Sequence, residues 1–324
     1  MSRRYFYSWV VVVVWAGFLT LGPGFAWLVA FWKTSLTMVF GSFIAGATAE
    51  GGGAVAFPVF TKALNIPSGT ARDFALAIQS VGMTCGSLLI VRSGYPMLVP
   101  VFVWAFLGAA PGVVLGLQFL APVLIPPYPK LFFTLFTVSF GVFLAMGSFS
   151  GNSQRSQTLD LSPWKRKAGL ILTGLVGGFI SSILGSGADV VLFVVLCLRY
   201  HIDEKVGTRT TIPLMASVSM VGFSFQMLSG NLRPEVLPMW LAAAPIVAFG
   251  APLGAIFCHK QKREHVVLFL EFLICVELIT TFWLIPLSWL EILLCALLSL
   301  VFVGLMLMIR TENRLPGEEQ SETS

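Results

Sequence analysis

The sequence predicts an all-α polytopic membrane protein of two homologous, inverted repeats. Each repeat is led by a broken or re-entrant helix, and one extra helix lies at each end. Three observations predict it. Of 324 residues, 56% are hydrophobic and 11% charged, whereas a soluble domain needs roughly 25% charged residues to cover its surface. Apolar runs of about 20 residues, the length of a spanning helix, recur from end to end. A shift of 136 residues lays the chain on itself: Phe43-Ile44 falls on Phe179-Ile180, Gly51 on Gly187, Ile66 on Ile202, Gly86 on Gly222, Ser93-Gly94 on Ser229-Gly230 and Trp104 on Trp240.

Residues 1–33 form the extra N-terminal helix. Arg3 and Arg4 precede an apolar run from Val10 to Phe31, longer than the roughly 7–15 residues of a signal-peptide core, so the helix is retained. Trp15, Trp27 and Trp32 supply interfacial anchors. Repeat 1 (34–148) carries apolar blocks at 34–66, 70–91, 96–124 and 130–148. A polar linker, 149–167, joins it to repeat 2 (168–287), whose blocks are 168–199, 206–228, 235–258 and 266–285. Both repeats hold a Gly/Ala/Pro-rich helix, G-A-A-P-G at 108–112 and G-A-P-L-G at 250–254. A last helix, 288–310, precedes a polar tail, 311–324, whose composition predicts disorder.

The leading blocks, of 33 and 32 residues, are too long for one straight span and too short for two. Each is cut near its middle, at E-G-G-G (50–53) and at G-S-G-A-D (185–189). If every block crosses once, Lys and Arg divide 13 to 7 between the two sides; if both broken blocks re-enter, they divide 15 to 5. The second division obeys the positive-inside rule better and places the linker and both termini in the cytoplasm. A tilted, interrupted span is the competing arrangement.

Broken helices in a bilayer are tolerated where protein or a watery cavity satisfies the freed backbone. Gly51, Gly52 and Gly53 in one repeat and Ser186 and Gly187 in the other are therefore candidate substrate-binding positions. At each, the following half-helix turns its positive dipole end and free N–H groups towards an anion. A close helix contact lined by glycine is the competing reading. Glu50 and Asp189 flank the breaks and are candidates for proton coupling, because a carboxylate beside an anion repels it unless protonated. A carboxylate capping a half-helix would look the same.

Thr70 and Thr208 each follow a glycine at the start of the next helix, where a hydroxyl makes a good N-cap, and are further candidates for substrate contact. Arg72 and Arg209, within a turn of them, could attract anions into a vestibule or snorkel to the interface. Gln79, Ser80, Thr84 and Ser87 form a polar stripe matched by Ser217, Ser219, Ser224 and Gln226. The stripes could bind substrate oxygens or join helices to one another. Glu271 and Glu277 lie on different faces of one helix.

Other classes find less support. The net charge of +5 sits in inter-helix loops, which is topology rather than nucleic-acid binding. Five cysteines without C-x-x-C suggest neither disulfides nor zinc. His201, His259 and His265 fall in loops, and neither a metal nor another cofactor is expected. No H-E-x-x-H or G-x-S-x-G occurs, which disfavours an intramembrane enzyme; a structural assembly protein would need no buried carboxylates.

The paired pattern resembles the TauE/SafE family of sulfite and organosulfonate exporters. It consists of a glycine-rich break, a G-T start to the next helix, and a polar stripe ending in S-G. A-E-G-G-G-A-V-A-F-P-V resembles the family's glycine signature and K-V-G-T-R its second G-T motif, over residues 38–285. G-S-G-A-D departs from the pattern by replacing a glycine triplet and introducing Asp189. The resemblance implies a multi-pass transporter of a bacterial inner membrane. It would move small sulfur-containing anions, commonly outward, driven by a proton or membrane gradient.

Overall fold

The computed structural model describes residues 5–21, 26–48, 53–124, 128–149 and 155–261, with scattered positions between 265 and 304. They form α1 (Phe6–Leu21), α2 (Ala26–Ala30), α3 (Trp32–Ala47), α4 (Gly53–Pro58, continued by a π turn to Ala63), α5 (Ser68–Arg92) and α6 (Val99–Leu115, continued by a π turn to Leu120). After these come α7 (Tyr128–Phe149), α8 (Trp164–Leu184), α9 (Ala188–Arg199), α10 (Glu204–Leu228) and α11 (Val236–Lys260). Five helical stretches among the described residues are long and apolar enough to cross a membrane: Ser68–Arg92, Val99–Leu120, Trp164–Leu184, Glu204–Leu228 and Val236–Lys260. Block 266–285 and the last helix lie largely outside the described residues.

Block 168–199 is cut where the sequence predicts, into α8 and α9 separated by 185–187. Block 34–66 carries α3 and α4, and the positions 49–52 between them lie outside the described residues. Gly185 ends α8 at φ +80° with its N–H bonded to the Ser181 carbonyl, and Gly187 follows at φ +136°. Both conformations favour glycine because a Cβ would be strained there. In addition, a Cβ on Gly185 would lie 2.6 Å from the Arg72 carbonyl oxygen.

α5 and α10 pack antiparallel at the centre. Gln226, near the end of α10, bonds Asp73 in the first turns of α5, while Thr210, near the start of α10, accepts from the Leu98 N–H beyond the end of α5. α8 then packs on α6, and α3 on α11. Both contacts run parallel and are built on small residues. A Cβ on Gly108 would overlap the Ile171 carbonyl, one on Gly174 the Ala105 carbonyl, one on Gly46 the Ala251 carbonyl, and one on Gly254 the Phe43 carbonyl. Close backbone approach is how membrane helices gain packing energy without a hydrophobic drive. The Gly/Ala/Pro-rich helices singled out from sequence are these contact surfaces.

α9 folds back along α8, so the chain leaves the pair near where it entered: Gly169 lies beside the Tyr200 hydroxyl and Gly177 against Ala188. The linker closes this end. Ser156 bridges to Ile202, and Arg155 pairs with Glu204. The α3–α4 pair returns to the opposite end, where Gly69 lies under the Arg233 guanidinium.

Several backbone features recur at the 136-residue spacing. Asn65 and His201 both take positive φ (52° and 48°), as do Gly94 and Gly230 (64° and 69°). The Ile66 N–H bonds Phe60 as Ile202 bonds Leu196, and Tyr95 bonds Ile90 as Asn231 bonds Gln226.

Candidate functional site

The second break is the described part of the predicted site. Asp189 is fully buried, and its Oδ1 accepts from the N–H groups of Gly187 and Val190, both at 3.1 Å. Ser181 Oγ takes the Ala188 N–H at 2.9 Å. The amides at the start of α9 are thus already paired, as a helix N-terminus buried in protein requires. Asp189 Oδ2 and Gln79 Oε1, both acceptors, have no hydrogen-bond partner among the described residues, and neither does the buried Ser219 hydroxyl of α10, which can donate as well as accept. Gln79 reaches the break from α5, donating through Nε2 to the Gly185 carbonyl at 2.9 Å. Gln79, Gly185, Gly187 and Asp189 therefore gather at one break, with buried Ser186 between the two glycines. The Gly187 amide, one of those expected to face an anion, bonds Asp189 Oδ1.

Glu50, Gly51, Gly52 and Glu277 lie outside the described residues, and Gly53 opens α4. Thr70 and Thr208 are buried but are not the caps of their helices. α5 begins at Ser68 after Pro67, which has no side chain to donate or accept, and α10 begins after Asp203, whose carboxylate accepts from Lys205 and Val206. Asp203 reaches two amides at once, so the helix starts a turn earlier than Gly207-Thr208 suggested.

The polar stripes divide by side-chain length. Ser80, Thr84, Ser87 and Ser217 bond carbonyls of their own helix at 2.6–2.9 Å. Gln79 and Gln226 reach across to another helix. Glu271 is half-buried. Cys85, Cys197 and Cys258 are buried and form no disulfide among the described residues.

Arg72 and Arg209 lie at opposite ends of the α5–α10 pair. Arg209 Nη2 sits 2.8 Å from His259 Nδ1, over the Tyr95 ring, on which His259 also stacks. His259, expected in a loop, lies in the last turn of α11 because that helix runs on past its apolar block to Lys260. Arg72 bonds Asp73 Oδ1 through Nε at 2.8 Å and through Nη2 at 2.7 Å. Asp73 Oδ2 takes Arg233 Nη1 at 2.6 Å, and Oδ1 also takes Gln226 Nε2 at 3.1 Å. Sequence reasoning missed Asp73 and Arg233. The signal for Asp73 was a charge pair, Arg72-Asp73, inside an apolar block. Nothing local marked Arg233 as its partner 160 residues away. Beside this cluster lies a cavity of about 240 Å³.

The sequence model of the family described as "Sulfite exporter TauE/SafE" matches residues 34–281. No curated protein and no solved structure matches the chain.

Proposed function

This chain belongs to the TauE/SafE sulfite exporter family, and on that premise we propose that it is a proton-coupled secondary transporter of small sulfur-containing anions, such as sulfite or a sulfonate, in a bacterial inner membrane. The second break carries the reading. Polar backbone and a carboxylate buried at the middle of a helix bundle are expensive and mark transport pathways. The Gly187, Ala188 and Val190 amides are bonded within the break while one oxygen of the buried Asp189 carboxylate is not, so a proton is what that carboxylate can receive. Asp189 Oδ2 is the atom that would hold it. The anion falls to the first break, at Gly51, Gly52 and Gly53, with Ser186, Gly187, Thr70, Thr208 and Ser80 as further candidate contacts. Glu50 would be the second proton-carrying candidate.

We also propose that the two halves are inverted repeats with re-entrant leading helices. The crossed packing of α3 on α11 and α8 on α6, and the recurrence of backbone features at the sequence spacing, support this. So does charge: Arg155, Lys165, Arg166 and Lys167 gather at the linker end, which would be cytoplasmic.

The test is flux in proteoliposomes of sulfite, sulfonates, thiosulfate and sulfate under an imposed pH gradient. Accumulation of one of them, abolished when the pH gradient is collapsed, is the expected result. Flux insensitive to that gradient removes the coupling, and no flux of any removes the transport reading.

A further inference from the structure

The cavity beside Asp73 has chemistry that the break does not use. Arg72 is more than nine-tenths buried, and the Arg233 side chain is 40% exposed. The two guanidinium groups share one carboxylate, which leaves the cluster with a surplus positive charge. Each guanidinium has five N–H donors, and the contacts to Asp73 use three of the ten. Both arginines line the cavity, together with Ser68 and Gly69 from the first turn of α5. Its other wall is apolar: Ala121, Pro122, Leu124, Pro129 and Ile183. Ile183 lies two residues before Gly185, and Gly185 rests on the backbone of Arg72, so the cavity adjoins the second break.

We propose that this cavity is a separate binding site for a small organic anion. The charged head lies on Arg72 and Arg233, and a short apolar group lies against Pro122, Leu124 and Pro129. Buried guanidinium groups bind oxyanions through paired, charge-assisted hydrogen bonds. A wholly inorganic anion would leave the apolar wall facing water and bind less well. The inference rests on the transporter reading only for the site's use as an antechamber, at the end of the molecule opposite the linker.

The test is equilibrium binding of radiolabelled ethanesulfonate to the full-length protein in detergent, with unlabelled sulfite as competitor. Arg233→Gln removes one head contact. Leu124→Glu introduces a negative charge into the cavity and leaves the Arg72–Asp73–Arg233 pairs in place, which guards against misfolding in the first variant. Saturable binding by the parent, weakened about tenfold in each variant, and poorer competition by sulfite than by unlabelled ethanesulfonate are expected. Parent-like binding in both variants, or no saturable binding by the parent, overturns the site. Equal or better competition by sulfite overturns the organic class. Parent binding without flux of any anion sinks the transporter reading and leaves the site standing.

Discussion

Gln79 and Gly185, 106 residues apart, are joined by a 2.9 Å hydrogen bond from the amide Nε2 to the glycine carbonyl. The bond ties the middle of α5 to the left-handed residue that ends α8, and it leaves Gln79 Oε1 buried without a described partner. One side chain therefore anchors the end of α8 to α5 and keeps a buried acceptor beside that anchor.

Replacing Gln79 by Leu should remove both roles. A buried carbonyl left unpaired costs about 1–3 kcal/mol, so the detergent-solubilised protein should unfold at lower temperature, with transport lost. Full flux in a less stable Gln79→Leu protein would limit Gln79 to structure.

Asp189 separates capping from proton transfer. Asn keeps an oxygen for the Gly187 and Val190 amides but cannot ionise, whereas Ala loses the cap, worth about 1 kcal/mol. Asp189→Asn should remain as stable as the parent and lose the pH dependence of flux. Asp189→Ala should lose both. Unchanged pH dependence in Asp189→Asn, followed by its loss in Glu50→Gln, would move the proton to the first break.

The α6–α8 contact should be intolerant of a single methyl group. A Cβ on Gly174 would overlap the backbone carbonyl of Ala105, and neither helix can yield without moving its partner. Gly174→Ala should destabilise by about 3 kcal/mol. Gly94, at φ +64° with nothing within 4 Å, should lose only about 1 kcal/mol as alanine, through backbone strain. Thermal melts of the two variants side by side give the comparison, and equal losses would contradict the close packing.

Sidedness follows from the linker. In a protein freed of its native cysteines, Gln157→Cys and Asn231→Cys both place a thiol at an exposed position, at opposite ends of the α5–α10 pair. An impermeant thiol reagent added outside whole cells should label Asn231→Cys and spare Gln157→Cys. The reverse pattern would invert the topology and leave the fold untouched.

Much of the plan was legible because lipid imposes one-dimensional rules. A span needs about 20 apolar residues, so block lengths mark helices, and an over-long block with glycines at its centre marks a break. Block 168–199 and its division at 185–187 follow from that arithmetic. Gly94 and Gly230, matched in sequence at the 136-residue shift, both take positive φ. Helix starts were less legible: Thr208 read as a cap because it follows a glycine, but Asp203 takes the role by reaching two amides.

The sequence by itself determined the solvent, the long apolar helices and the break at 185–187. Tertiary structure alone decided which polar atoms remain free. Asp189 looks the same in the chain whether its neighbouring amides are open or taken, and only the fold of α9 back against Ser181 shows that they are taken. In the chain Arg72 could attract anions or snorkel to the interface, and only the fold shows that α10 brings Gln226, and the loop beyond it Arg233, onto the carboxylate that Arg72 holds. Hydrogen bonds and charges act over a few ångströms of space, and separation along the chain carries no record of those distances.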